Sequence, residues 1–217
     1  MTAPRARRRD KLDPDPTVRR EILTAALATL REHGVHGLSI AAVLERSALS
    51  TRAFYRHFAS KEELVAAVFL ESARVEKRRL RRRMATATTA VEAVVAWIDG
   101  RLDLALDVSV GADLRRLSVE AQSQTLTSPG LVRPAYAEIL SPLSDALARG
   151  LRSGELHHID PVAAAQFIHG TVWAAIDGQW ATGDCDRIDL RRHSLRFCLG
   201  GLGVRPETIE RYCSHTS

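Results

Sequence analysis

The chain has 217 residues, 45% hydrophobic and 26% charged, a composition too apolar for disorder and sufficient for one or two packed domains. Its net charge of +5 is uneven: residues 1–83 hold 19 Lys and Arg against 10 Asp and Glu, whereas residues 84–217 hold 12 against 16. No stretch reaches the roughly 18 uninterrupted apolar residues of a membrane helix. Even 162–180 carries Gln166, His169 and Asp177. The cysteines Cys185, Cys198 and Cys213 are odd in number and lack CxxC spacing, which argues against a disulfide framework or a zinc site and for a reducing compartment. No cofactor is implied, and Cys198, in an apolar run, reads as a core thiol.

Residues 1–17, with five cations and three prolines and no apolar period, read as a flexible basic arm, and no apolar run follows to make a secretory signal. A helix is predicted over 18–32, where Val18, Ile22, Ala26 and Leu30 share a face, ending at His33-Gly34 with the glycine left-handed. Ser39 caps a second helix over 40–46, Ser47-Ala48-Leu49 makes a turn, and Ser50 caps a third over 51–57. Ser60-Lys61-Glu62-Glu63 is a capping box that opens a fourth helix, reaching about residue 84. The first three helices make a small compact head.

Beyond residue 63, apolar residues recur at three- and four-residue spacings and alternating β-branched runs are missing, so the body is predicted to be all-α. A second capping box, Thr89-Ala90-Val91-Glu92, opens a helix to about 107, and another is expected over 112–126. Ser128-Pro129-Gly130 breaks the chain before a helix over 132–152, which Pro142 should kink and Gly154 should end. Asp160-Pro161 opens a helix over 161–181, a last one covers 188–202, and 205–217 reads as a tail, for about nine helices in all. The 161–181 helix is apolar around most of its circumference and must be covered on both sides. Ala163, Ala164, Ala165, Gly170, Ala174 and Ala175 would admit a partner helix, so it either lies at a homodimer interface with 188–202 or forms the centre of a monomeric bundle.

On the third helix, at about 100 degrees per residue, Thr51, Tyr55, Arg52 and Arg56 fall within an arc of about 140 degrees, opposite Ala53, His57, Phe54 and Phe58. One face packs and the other offers cationic donors and a flat ring, the division that a helix lying in a DNA major groove requires. The basic N-terminal charge suits the same partner.

These residues resemble the head of the TetR-type (TetR/AcrR) bacterial transcriptional regulators. The resemblance is carried by Gly34, Ser39, Ala48-Leu49-Ser50, Tyr55-Arg56-His57-Phe58 and Ala59-Ser60-Lys61, over about residues 20–69. A weaker echo runs from Ala148 through Gly154 to Asp160-Pro161, and no motif is seen over 74–147. The resemblance implies a helix-turn-helix domain at 18–63 and a ligand-binding and dimerisation bundle at 64–204. It also implies contacts: Ser39 with phosphate or a base, Thr51 and Arg52 with bases, Tyr55 and His57 with phosphate or base edges, and Lys61 with phosphate. Arg52 is the best placed to read guanine. Three departures make the operator this chain's own: Ala48 replaces the usual turn glycine, Leu44 a small residue, and Arg52-Ala53 the common Gly-Thr pair. His57 also lies on the packing arc, so a structural role stands beside its contact role.

The cluster Arg74, Lys77, Arg78, Arg79, Arg81, Arg82 and Arg83 ends the fourth helix. At about 1.5 Å per residue it lies roughly 30 Å from Lys61, and a solvated helix end is favoured over a second nucleic-acid surface. In the family a small molecule binds inside the body and changes the separation of the two heads. The large or polar side chains set in apolar helices here are Trp97, Gln122, Tyr136, His169 and Trp173, and each is also a core or interface residue in the simpler reading. The expected function is a homodimeric, cytoplasmic and nucleoid-associated repressor released from a double-stranded operator by a small-molecule effector. The alternatives are an activator or protein-binding adaptor with the same head, or an all-helical enzyme. For the last, His157-His158-Ile159-Asp160 offers only an exposed loop, and no phosphate-cradling loop, HExxH or nucleophile elbow is present.

Overall fold

The computed structural model describes residues 15–106, 117, 120, 121, 124, 128–183 and 186–214. Among them are nine α-helices and no strand: α1 (Pro16–Gly37), α2 (Ile40–Ser47), α3 (Thr51–His57), α4 (Lys61–Arg83), α5 (Ala90–Leu106), α6 (Pro129–Ser153), α7 (Pro161–Thr182), α8 (Arg187–Gly201) and α9 (Pro206–Ser214). A short 3₁₀ turn, Met84–Thr86, follows α4. The chain divides into two compact units, Met1–Val68 and Phe69–Ser217. None of the described helices is long and apolar enough to cross a membrane.

Capping chemistry sets most of the boundaries. Ser39 Oγ accepts from Ala42 N at 3.1 Å and Ser50 Oγ from Ala53 N at 3.2 Å, each satisfying an amide that a helix start leaves orphaned. Both capping boxes close. Ser60 Oγ accepts from Glu63 N while the Glu63 carboxylate takes Ala59 N, and Thr89 Oγ1 accepts from Glu92 N while the Glu92 carboxylate takes Thr88 N and Thr89 N. The carboxylate of Glu155, arriving from beyond α6, accepts from Ala90 N and Val91 N at 2.7 and 2.9 Å and completes the start of α5.

Four elements differ from the sequence-based expectation. α1 begins at Pro16 rather than 18, because Asp15 accepts from Thr17 N and Pro16 sits where its missing N–H is harmless. Gly34 interrupts α1 at φ 66°, ψ −178°, which is not the left-handed helical conformation but an extended region open essentially to glycine alone. Pro129-Gly130 starts α6 instead of breaking the chain, again with proline at the first helical position. Residues 206–214 of the expected tail form α9, which packs on α8, buries Ile209 and pairs Glu210 with Arg196 at 2.7 Å. Of the helix expected over 112–126, only Leu117, Glu120, Ala121 and Gln124 are described, and they are helical.

In the first unit α1 packs on α2 and α3, with Ile22, Leu30, Val43, Phe54 and Phe58 buried. In the second, α5 is the enclosed helix, in contact with α6, α7 and α8 and burying Val94, Trp97, Ile98 and Leu102. α7, expected to be covered on both sides, buries Ala165, Ile168, Val172 and Ile176 but leaves Phe167 77% and Val162 61% exposed. Pro142 lies within α6, where the Ser141 hydroxyl donates at 3.1 Å to Glu138 O, the carbonyl that the proline nitrogen cannot serve. Gly154, at φ 76°, ends α6 as the sequence predicts.

The Gly34 conformation yields a direct expectation. Gly34→Ala should destabilise the protein by about 1–3 kcal/mol in urea or thermal unfolding. Ala48, a non-glycine residue at φ 52° in the turn between α2 and α3, should behave oppositely. Ala48→Gly should be neutral or stabilising by up to about 1 kcal/mol.

Candidate nucleic-acid interface and buried aromatic site

The head presents one polar face on α3. Phe54 and Phe58 are 0% and 1% exposed and anchor the helix, whereas Thr51, Arg52, Tyr55 and Arg56 face solvent, Tyr55 at 57% exposure. The Tyr55 ring stands edge-on to Phe54 with centroids 5.3 Å apart, and Arg19 of α1 lies 5.0 Å over the Phe58 ring, bracing α3 from behind. Neither Arg52 nor Arg56 has a carboxylate partner among the described residues. Ser39 is exposed, and its hydroxyl already accepts a cap bond but keeps its proton for a further acceptor. Lys61 lies in the first turn of α4. His57 is half-buried on the packing side, with Nδ1 enclosed and unpartnered. Between α1 and α2, Arg46 grips Glu32 through two bonds of 2.9 and 2.7 Å, and that hydrogen-bonded guanidinium holds the Glu32 carboxyl below its usual range.

The second cationic cluster differs in kind. Arg74, Lys77, Arg78, Arg79, Arg81 and Arg83 each face a carboxylate: Glu71 or Glu138 for the first three, and Glu76, Asp145 and Asp103 for the others in turn. Lys77 and Glu138 are 2.6 Å apart and only 21% and 26% exposed. Lys77 and Arg79 are thereby tied into the bundle, while Arg74, Arg78, Arg81, Arg82 and Arg83 stay exposed, as expected of a solvated helix end.

Of the five side chains singled out in the body, the structure brings four together, and Gln122 lies outside the described residues. His169 of α7 is the hub: Tyr136 meets it edge-on at 4.9 Å, Trp97 at 6.1 Å, and Trp173 stacks on it at 6.2 Å. Trp180 extends the group, 5.6 Å from Trp173. Trp97 is wholly buried and Tyr136 is 39% exposed, so the cluster runs from the core to the surface.

Sequence reasoning missed the charge at its centre. Arg101 follows Trp97 by one helical turn on α5, is 4% exposed, and lies 5.7 Å over the Trp173 ring. Its Nη1 donates at 3.0 Å to Glu76, which also takes two bonds from Arg79. The available signal was the one cation of α5, placed a helical turn after Trp97. Burial alone would raise the pKa of Glu76, but the hydrogen bonds and charges of Arg79 and Arg101 outweigh it and hold the group ionised. Burial, with the Arg101 charge added, pulls His169 down to about 3, so its ring is neutral at ordinary pH. Cys198 is a buried thiol whose pKa burial pushes up to about 12, which makes it inert, as the sequence implies. His157 and His158 are exposed, and the described residues hold no group of three or more metal-ligating side chains.

The braced, solvent-facing α3 behind a capped α2 defines a helix-turn-helix head. Residues 22–68 match the family model described as bacterial regulatory proteins, tetR family, so the head of the chain is similar to the heads of that family. No curated protein sequence matches the chain. Among solved structures, the fatty acid degradation regulator FadR from Bacillus halodurans aligns with TM-score 0.67 at 20% identity, over 88% of this chain and 99% of that one. FadR from Bacillus subtilis, solved in complex with stearoyl-CoA, gives 0.63 at 20% identity over 91% and 99%. RolR, solved with resorcinol, gives 0.65 at 21% identity over 92% and 94%. At these identities the likeness is one of fold.

The depressed pKa of His169 fixes a pH dependence. Between about 6.5 and about 3 the unfolded chain takes up a proton that the folded chain refuses, so stability is full above 6.5 and falls as pH drops through that window. The slope from this group is up to about 1.4 kcal/mol per pH unit. Urea unfolding of His169→Phe at pH 7, 6 and 5 should show a shallower loss than the parent, and an identical slope would contradict the burial of a neutral ring.

Proposed function

We propose that this chain is a homodimeric transcriptional repressor that a small-molecule effector releases from a near-palindromic operator. The observation that carries the DNA reading is the contrast between two sets of cations. Among the described residues, Arg52 and Arg56 stand exposed with no carboxylate partner beside Thr51 and Tyr55, whereas most cations at the end of α4 lie beside a carboxylate. In this reading Thr51 and Arg52 read bases, Arg56 and Tyr55 take phosphate or base edges, and Ser39, His57 and Lys61 hold the backbone. The basic arm, 1–17, adds sequence-independent attraction, the head covers 18–63, and the remainder senses and dimerises.

Dimerisation rests on exposed apolar surface. Val162 and Phe167 on α7 and Ile188 and Phe197 on α8 are 50–77% exposed, more than a lone body leaves uncovered without a reason. The effector reading rests on the aromatic cluster around His169, and solved structures of this fold include complexes with stearoyl-CoA and with resorcinol. Release then equals the difference in effector affinity between the free and DNA-bound conformations. Such a protein works in the cytoplasm, on the nucleoid.

A gel shift on the DNA upstream of the chain's own reading frame should show a salt-sensitive complex. Arg52→Ala should cost about 1–3 kcal/mol on the preferred sequence and flatten the preference, while Lys61→Ala should weaken all sequences alike and reduce the salt slope by about 1. Unchanged binding in both would overturn the contact assignment. Phe167→Glu should convert the dimer to monomer in sedimentation equilibrium, and a parent that is itself monomeric at micromolar concentration would remove the dimer from the account.

A further inference from the structure

The aromatic cluster has an unsatisfied electrostatic requirement. Among the described residues, Glu76 is hydrogen-bonded by both Arg79 and Arg101, so these three groups together carry one positive charge in excess. The neighbouring carboxylates are already engaged: Asp103 lies between Arg83 and Arg187, and Asp99 is gripped by Arg191 through bonds of 2.7 and 3.0 Å. His169, neutral, adds nothing to either sign. Among the described residues, two enclosed donors also find no acceptor, Arg101 Nε and Trp97 Nε1, on residues 4% and 0% exposed. A buried donor left unpaired is costly, and more so when it is charged. Trp97 and Arg101, one turn apart on α5, meet two residues of α7 that touch each other: Trp97 lies against His169, and Arg101 over Trp173, which stacks on His169.

We propose that the effector is a carboxylate carried on a flat unsaturated ring, its oxygens accepting from Arg101 Nε and Trp97 Nε1 and its ring lying among His169, Trp173 and Tyr136. This rests on the reading of the cluster as the effector site and assigns that site its ligand class. A carboxylate supplies the missing negative charge and both missing acceptors in one group, and a charge-assisted bond to a guanidinium is among the stronger interactions a buried site offers. The ring is called for by the faces and edges that line the cluster, where offset and edge-on contacts are favoured. Tyr136, the one member of the cluster substantially exposed, forms its outer rim. An aliphatic acid of the same size would satisfy the charge and lose the stacking. A neutral amide of the same shape would keep the stacking and leave the charge unmet.

The test uses the intact protein and its own fluorescence, because all three tryptophans, Trp97, Trp173 and Trp180, lie in this cluster. Benzoate and phenylacetate are titrated against benzamide, phenylacetamide and cyclohexanecarboxylate, by tryptophan emission and calorimetry. The aromatic acids should bind about tenfold or more tightly than their amides and than the saturated acid. Arg101→Gln should abolish the preference for acid over amide. Arg101→Lys keeps the charge that Glu76 needs for folding but moves the donor, and should reduce acid binding about tenfold while leaving amides within about twofold. Trp97→Phe, which keeps two reporters, should weaken the acids alone. Equal binding of acid and amide, or acid binding unchanged in both Arg101 variants, would overturn the proposal and leave the effector site standing. Equal binding of cyclohexanecarboxylate would overturn the ring assignment. No response to any of the five at millimolar concentration would overturn the proposal and the effector site together.

Discussion

Arg101 is a guanidinium that cannot reach water, and much of the larger unit is arranged around that fact. A buried charge is tolerable only when paired and hydrogen-bonded, because its desolvation costs several kcal/mol. Glu76 supplies the pairing from α4, Arg79 steadies Glu76 and also donates to Gly100 O at 2.6 Å, and Trp173 offers its ring face from α7. Three helices are thereby tied at one point: α4, α5 and α7. Removing Glu76 would leave Arg101 buried without its carboxylate, whereas Glu76 without Arg101 would keep Arg79, so the need of Arg101 helps fix where α4 lies against α5.

The same helix that brings Glu76 into this network begins at Lys61 with the capping box. α4 contributes Leu64, Val65 and Val68 to the core of the first unit and Ala73 and Leu80 to the second. A continuous helix of 23 residues is stiff over its length.

Local chemistry was legible in the sequence and distant pairing was not. The caps at Ser39, Ser50 and Asp160, the two capping boxes, the Gly154 stop and the two arcs of α3 all depend on residues within four positions of one another, and all appear in the structure. Proline was misread at 129 because it opens helices as readily as it ends them, and only the tertiary setting distinguishes the two. Gly34 was recognised as a breaker, but its ψ depends on how the chain turns towards Leu38, whose N–H bonds back to Gly34 O. The ion pairs were out of reach for a plainer reason. Arg101 and Glu76 are 25 residues apart, Lys77 and Glu138 61, and Arg191 and Asp99 92, so the cations of α4 look like an unpaired cluster until the bundle closes. Helix α9 escaped because a nine-residue amphipathic segment is short enough to pass for a tail until its partner α8 is in place.

The central claim is that the exposed face of α3, presented twice by a symmetric dimer, reads a specific DNA sequence. Its most direct test is selection of bound duplexes from a random pool, followed by sequencing of the enriched fraction. The account predicts a near-palindrome whose half-sites are about one helical turn or a multiple apart, with a guanine position lost when the selection is repeated with Arg52→Ala. A bound fraction with no enriched sequence, or a single half-site unchanged by the Arg52 substitution, would contradict it.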